Sequence, residues 1–444
     1  MGDTPSTGNA PDPKPGGRKL EFGIYPGGVA GQIVVPAVPK PEDRAKTLQA
    51  LARLRPAGGP FTVHIYRSYL DAQNDAKEDV EHRRLVDLYT GHGYGVEIVI
   101  RYRRDGDPAG FAKFVRGVVG RFGDNPLVRG FQVTNEVNFA ASGDSSDGVY
   151  EGARDALIQG VIAAKDEARR RGYDQVQIGF NWFYRTDPNN EDSFWQYLDE
   201  HGGKRFSSSL DWVGLDVYPG TFFPPATPPA ATGDFVVNAL SQLRNCFMDE
   251  GDIPESVPIH VEENGYPTGP GRSYADQRTA LESMVGAVNT YRANYNVTNY
   301  FWFDLRDADT ASPNFQQQYG LMRDDYSPKP AFDAFRGLVS QMSLRAKPPP
   351  AVRPPGRNRG TLLLRVRCWR SGVYAQVRGS AARRIRRVRF SANGRHFDDL
   401  GGPWRRHMRL VPTRRRVRIG VRARVTLPAR RVELRRSLRC RVRE

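Results

Sequence analysis

Val257–Pro267, VPIHVEENGYP, is the stretch whose reading decides the fold. It opens as a short apolar run with β-branched residues and closes on two carboxylates followed by Asn264-Gly265. A strand that stops on an acid and turns at once on Asn-Gly sets that acid at the rim of a sheet. A carboxylate at the end of an apolar strand is costly to bury without a partner or a task. A second stretch upstream, Val128–Asn138 (VRGFQVTNEVN), runs in the same way into Asn135-Glu136. Two strands that each bring a glutamate to one rim supply the paired carboxylates of acid/base chemistry.

Working outward, the same theme recurs. Apolar runs stand at Leu20–Pro26, Phe61–Tyr69, Tyr94–Tyr102, Val128–Asn138, Val176–Tyr184, Leu210–Pro219, Val257–Asn264 and Val297–Asp304. Polar stretches with helical spacing separate them, among them Pro108–Phe122, Val149–Arg171 and Tyr274–Asn294. Eight strands alternating with helices predict an α/β fold, a parallel (β/α)8 TIM barrel. An open doubly wound sheet is the rival on pattern alone, but no glycine-rich phosphate loop follows the first strand.

Charge divides the chain. From Ala351 to Glu444 there are 29 arginines, no lysine and four acids, a net +25. The remainder holds 37 basic and 45 acidic residues, a net −8, so the overall +17 belongs to the tail. The expected domains are a flexible Pro/Gly leader at 1–19, the barrel at 20–345, a Pro-rich linker at 346–360 and a small Arg-rich all-β, sandwich-like module at 361–444. In that module Val417, Ile419, Val421, Ala423 and Val425 alternate mostly with arginine, the pattern of a half-buried strand. Cys368 and Cys440 bracket it and Cys246 stands alone. A Cys368–Cys440 disulfide fits an exported protein, and two buried thiols are the alternative. No apolar run is long enough to span a membrane. The first residues lack the apolar core of a signal peptide. The tail admits three readings: docking on an anionic polysaccharide or cell surface, nucleic-acid binding, or a solvated face in a chain that prefers arginine to lysine throughout. No nucleic-acid signature favours the second.

In a (β/α)8 barrel all strand C-termini meet at one face, and catalytic residues sit there. On that plan Thr134-Asn135-Glu136 closes the fourth strand and Glu262-Glu263-Asn264-Gly265 the seventh. These resemble the hallmark of the clan A glycoside hydrolases, retaining enzymes with an Asn-Glu acid/base on strand four and a nucleophilic glutamate on strand seven. The likeness covers roughly Leu20 to Met342. It implies an O-glycosidase that forms a covalent glycosyl-enzyme on Glu263, with Glu136 as proton donor and then base. Strict alternation puts Ile259, Val261 and Glu263 on one side and His260, Glu262 and Asn264 on the other. The resemblance selects Glu263 as nucleophile and leaves Glu262 a supporting acid.

The same resemblance supplies a supporting cast, each with a plainer alternative. Asn135 would bond the sugar 2-hydroxyl, or merely end a strand. Tyr218 would orient the nucleophile, or pack. Arg67 would hold Glu263 ionised, or form a surface ion pair. Trp302 and Trp182 would stack on sugar rings, or fill the core. His64 would line the pocket, or sit satisfied inside the barrel. Asp304, Arg306 and Asp307 follow at the mouth, to meet substrate or one another. No GxSxG elbow, HExxH or clustered histidine ligands appear, so no metal or cofactor is expected. The expected partner is a carbohydrate, a β-linked oligo- or polysaccharide, bound by a monomer that is secreted or at the cell surface. Two other classes stay open, a non-catalytic carbohydrate- or wall-binding protein on the same barrel and an Arg-rich nucleic-acid binder.

Overall fold

Alternation along the strands builds the barrel. In Gly95–Tyr102, Val96, Ile98 and Ile100 join the core shared with the surrounding helices, while Glu97, Val99 and Arg101 point inside. The computed structural model describes residues 11–28, 39–56, 59–70, 72–140, 143–185, 188–344, 362–369, 372–378, 385–392, 395–399, 405–410, 417–427 and 430–441. Its first eight strands are Glu21–Ile24 (β1), Thr62–Tyr69 (β2), Gly95–Tyr102 (β3), Val128–Val133 (β4), Gln177–Phe183 (β5), Trp212–Val217 (β6), Ile259–Asn264 (β7) and Val297–Trp302 (β8). They close into one barrel in chain order, every pair parallel, with β8 returning to β1.

A long helix follows each strand: Arg44–Leu54 (α1), Ala72–Gly91 (α2), Pro108–Phe122 (α3), Ala153–Arg171 (α4), Pro188–Tyr197 (α5), Thr232–Gln242 (α6), Tyr274–Tyr295 (α7) and Pro330–Leu344 (α8). Their ends follow from local chemistry. Asp107 accepts the Gly110 N–H ahead of Pro108 at the first turn of α3, which satisfies a free backbone donor. Phe111, Val115, Val118, Val119 and Phe122 then form its buried stripe. Ser273 and Asp276 make a reciprocal capping box for α7. Gly172, at φ 73°, ends α4 in the left-handed conformation that glycine adopts without strain.

The expected strands all form, trimmed at their ends. The largest difference is β4, which stops at Val133 rather than Asn138 because Thr134 and Glu136 take positive φ angles of 66° and 48°. In the described part of the leader, Asn294 donates to Asp12 O and accepts from Lys14 N, and Arg292 donates to Arg18 O, contacts with the end of α7. No helix among the described residues is long and apolar enough to cross a membrane.

The chain divides into two compact units, Met1–Lys347 and Pro348–Glu444. The linker expected at 346–360 lies outside the described residues. The second unit has a three-stranded and a four-stranded antiparallel sheet. Both line one core, with Val373, Val377 and Met408 from the first and Val388, Phe390, Ile419 and Val421 from the second. Arg418, Arg422 and Arg424 stay exposed between the buried Ile419, Val421, Ala423 and Val425. A Cys368–Cys440 disulfide joins the two sheets.

Candidate active site

The strand ends enclose a pocket of about 250 Å³ that both Glu136 and Glu263 line. One carboxylate oxygen from each, and one from Asp216 on β6, lie within 4.8 Å of one another. All three residues are buried.

Glu263 reaches the interior through a bulge. The β6–β7 register slips between Leu215 and Asp216. Ile259 and Val261 face the helix layer, and Asn264 also faces outward, bonded to Val217 O, Met284 Sδ and Tyr300. Glu262 and Glu263 therefore both turn inward, at successive depths. Strict alternation, which groups Glu263 with Ile259 and Val261, fails here; a bulge re-aims a side chain in this way.

The Glu136 side chain hangs from a strained turn. Left-handed φ is unfavourable for non-glycine residues, and specific bonds hold it. Asp147 accepts the Asn135 N–H at 2.9 Å, the Tyr102 N–H at 2.8 Å and Arg101 Nε at 2.9 Å. Asn181, on β5, accepts the Glu136 N–H at 2.8 Å and donates to Asn135 Oδ1 at 2.9 Å and to Asp216. Asn135 lines the pocket, and its amide also donates to Ser145 O at 2.7 Å.

The electrostatics separate the two glutamates. Burial pushes Glu136 well above the usual carboxylate range and the Glu263 charge adds to it, while Arg101 opposes. Burial also raises Glu263, but hydrogen bonds from Tyr218 and Tyr66 and the charge of Arg101 pull it back. The Tyr218 hydroxyl lies 2.6 Å from Glu263 Oε2, and Tyr66 donates to Oε1. Of the two, Glu263 is the better stabilised as an anion. Asp216 is also pushed well up, by burial first and then by Glu263 and Glu136.

Stacked aromatic pairs wall the pocket: Tyr25 on Phe303 at 5.0 Å and Phe139 on Phe183 at 4.7 Å. Such faces suit the C–H surface of a sugar ring.

No protein-family model and no curated protein matches the chain. Solved structures do. A family 39 glycoside hydrolase from the gut symbiont Bacteroides cellulosilyticus WH2 superposes with a TM-score of 0.51 at 15% identity, over 84% of this chain and 75% of that one. GH5_18 from Streptomyces cattleya, in complex with GlcNAc, does so with a TM-score of 0.53 at 16% identity, over 76% of this chain and 83% of that one. The barrel has the fold of clan A glycoside hydrolases. At these identities the likeness is one of fold.

Within that fold the structure gathers Glu136, Glu263, Asn135 and Tyr218 at one pocket and places four other candidates elsewhere. Arg67 does not approach Glu263. It shares the parity of Val63 and Ile65, faces the helix layer, and pairs with Glu78 at 2.7 Å and Asp79 at 3.0 Å. Arg101 on β3, ion-paired to Asp147 at 2.8 Å, is the cation at the carboxylates. Trp302 packs on Phe335 of α8, and Trp182 packs among Trp195 and Phe247 and donates to Glu191. Neither lines the pocket. His64 lies one inward position deeper, stacked on Tyr66. At the mouth, Asp307 is tied up in a buried ion pair with Lys329 at 2.6 Å, and Arg306 donates to the Lys40 and Asp324 carbonyls. Sequence reasoning missed Tyr66, Arg101, Asp147, Asn181 and Asp216. For Tyr66 and Arg101 strand parity carried the signal.

Proposed function

We propose that this protein is a retaining glycoside hydrolase, acting on an O-glycosidic bond of a β-linked oligo- or polysaccharide by double displacement. One observation carries the reading: Glu263, held by two tyrosine donors, shares a pocket with Glu136, whose pKa burial pushes well up, and one carboxylate oxygen of each lies within 4.8 Å of the other. Retaining enzymes keep their carboxyl groups about 5–5.5 Å apart, whereas inverting ones need room for a water.

The chemistry follows from charge. The Glu263 carboxylate attacks the anomeric carbon as its bond to the leaving oxygen breaks, and Glu136 passes its proton to that oxygen. The product is an ester between Glu263 and the sugar. Water then attacks the same carbon, gives a proton to Glu136, and the ester bond breaks to regenerate the Glu263 carboxylate. Tyr66 and Tyr218 hold the Glu263 oxygens in place for the attack, so less motion is needed at the moment of reaction. Arg101 offsets the charge that remains on the pair throughout.

A panel of aryl-glycosides assayed with wild type and Glu136→Ala tests the reading. Removing the general acid should lower kcat/KM by roughly 10²–10⁴ for poor leaving groups and far less for good ones, which need no proton. Equal activity on poor leaving groups would exclude Glu136 as the acid.

We further propose that the protein works outside the cytoplasm as a monomer, since disulfides persist in oxidising compartments. Its arginine-coated second unit would then contact an anionic polysaccharide or cell surface. Retention on an immobilised polyuronate at low salt, lost at high salt, is the expected result; no retention would leave those arginines a solvated face.

A further inference from the structure

Below the pocket, inside the barrel, lies a second cluster that the proposed reaction does not use. It comprises His64 on β2, Glu97 on β3 and Glu262 on β7. One ligating atom from each lies within 4.8 Å of the others. The three side chains are 0%, 3% and 1% exposed. Among the described residues, both ring nitrogens of His64, Glu97 Oε1 and Glu262 Oε2 meet no conventional donor–acceptor partner; the two carboxyl groups lie against each other and the His64 ring against the Glu262 backbone. A buried polar atom without a partner is costly, and four around one point require a common explanation.

Charge sharpens it. The groups acting on Glu97 are Glu262 and His260, and those acting on Glu262 are Glu97 and Glu263; no lysine or arginine is among them. Two adjacent acids in a dry interior need either protons or a cation. The surroundings are also arranged. His260 Nδ1 bonds Glu262 Oε1 at 2.9 Å and its ring stacks on Trp212 at 4.6 Å, which fixes that carboxylate. A methyl group at Gly214 would press on Glu262 Cγ at 2.8 Å and one at Gly130 on Glu97 Oε2 at 3.1 Å, so both carboxylates lie in spaces that these glycines leave.

The geometry points to a structural site for one divalent transition-metal cation, with His64, Glu97 and Glu262 as its protein ligands. One imidazole and two carboxylates suit zinc or manganese, whose bonds are about 2.0–2.2 Å for zinc. The three donors stand within 4.8 Å of one another, close enough to face a single ion between them. His260 then plays the part of an outer partner that orients a ligating carboxylate. The cation joins three strands across the barrel interior. This inference stands apart from the glycosidase reading, because its readouts are metal content and stability.

The full chain is purified without chelator or a histidine tag, and its metal content is measured by mass spectrometry. It is then unfolded in denaturant with dipicolinate and refolded with chelator, with zinc chloride or with manganese chloride. The expected result is close to one equivalent of metal as purified or after refolding with one of the two salts. The metal-loaded protein should melt several degrees above the stripped one. Glu97→Gln and His64→Asn should each bind less than about a tenth as much. If either variant fails to fold, the wild-type stoichiometry and melting shift still decide. Less than a tenth of an equivalent with both salts and an unchanged Tm would overturn the site and leave a proton shared between Glu97 and Glu262. Full retention of metal by folded variants would overturn these ligands.

Discussion

At Glu136, burial and the charge of Glu263 both oppose ionisation, and pH dependence follows. A carboxyl whose pKa is raised on folding holds its proton more tightly in the fold. Its stabilising effect is complete below the unfolded value of about 4.3 and is lost as pH rises through the folded value. Glu136→Gln cannot ionise. It should therefore melt several degrees above wild type at pH 7–8, and that gain should shrink towards pH 4, as read from Tm against pH. The descending limb of kcat/KM should lie well above the ordinary carboxylate range; a limb near pH 4–5 would contradict the burial argument. Tyr218→Phe removes one of two donors to Glu263. A hydrogen bond to a charged group contributes roughly 1.5–3 kcal/mol, so kcat/KM should fall about 10- to 150-fold, with little change in Tm.

Among the elements, the turn after β4 depends most on its neighbours. Asp147 there holds the Asn135 and Tyr102 amides and the buried Arg101. Asp147→Ala leaves that cation unpaired, which should cost roughly 3–5 kcal/mol, measured as a lower urea midpoint, and should misplace Glu136. Asp107→Ala, at the start of α3, should cost only about 1 kcal/mol. These elements show where the sequence was readable. Strand and helix existence was legible because each strand is a distinct apolar run, and Pro108–Phe122 carries its own cap. The two glutamates stood out because each follows an apolar run and is paired with an asparagine, Asn135-Glu136 and Glu263-Asn264. Arg67 misled because its charge was weighed without its parity: Val63 and Ile65 mark that side of β2 as helix-facing, and Tyr66 as barrel-facing. The bulge at Glu262–Glu263 and the positive φ of Glu136 had no local signal, since partners on β5, β6 and the loop at Asp147 create them. Trp182 and Trp302 were ambiguous for the general reason that tryptophan serves cores and sugar platforms alike.

For the whole molecule, the charge asymmetry and the two units coincide. The disulfide spans 72 residues of sequence within the second unit. In the chain-entropy account such a loop stabilises by about 4 kcal/mol. Cys368→Ser with Cys440→Ser should lower the melting of that unit and leave the barrel transition in place, as two calorimetric peaks would show. The central claim concerns the barrel alone and is open to one direct measurement. The protein is incubated with a panel of 2-deoxy-2-fluoroglycosyl fluorides, digested, and mapped by tandem mass spectrometry. The account predicts one covalent sugar on Glu263, absent from Glu263→Gln. A label on Glu262, or turnover that survives Glu263→Gln, would contradict it.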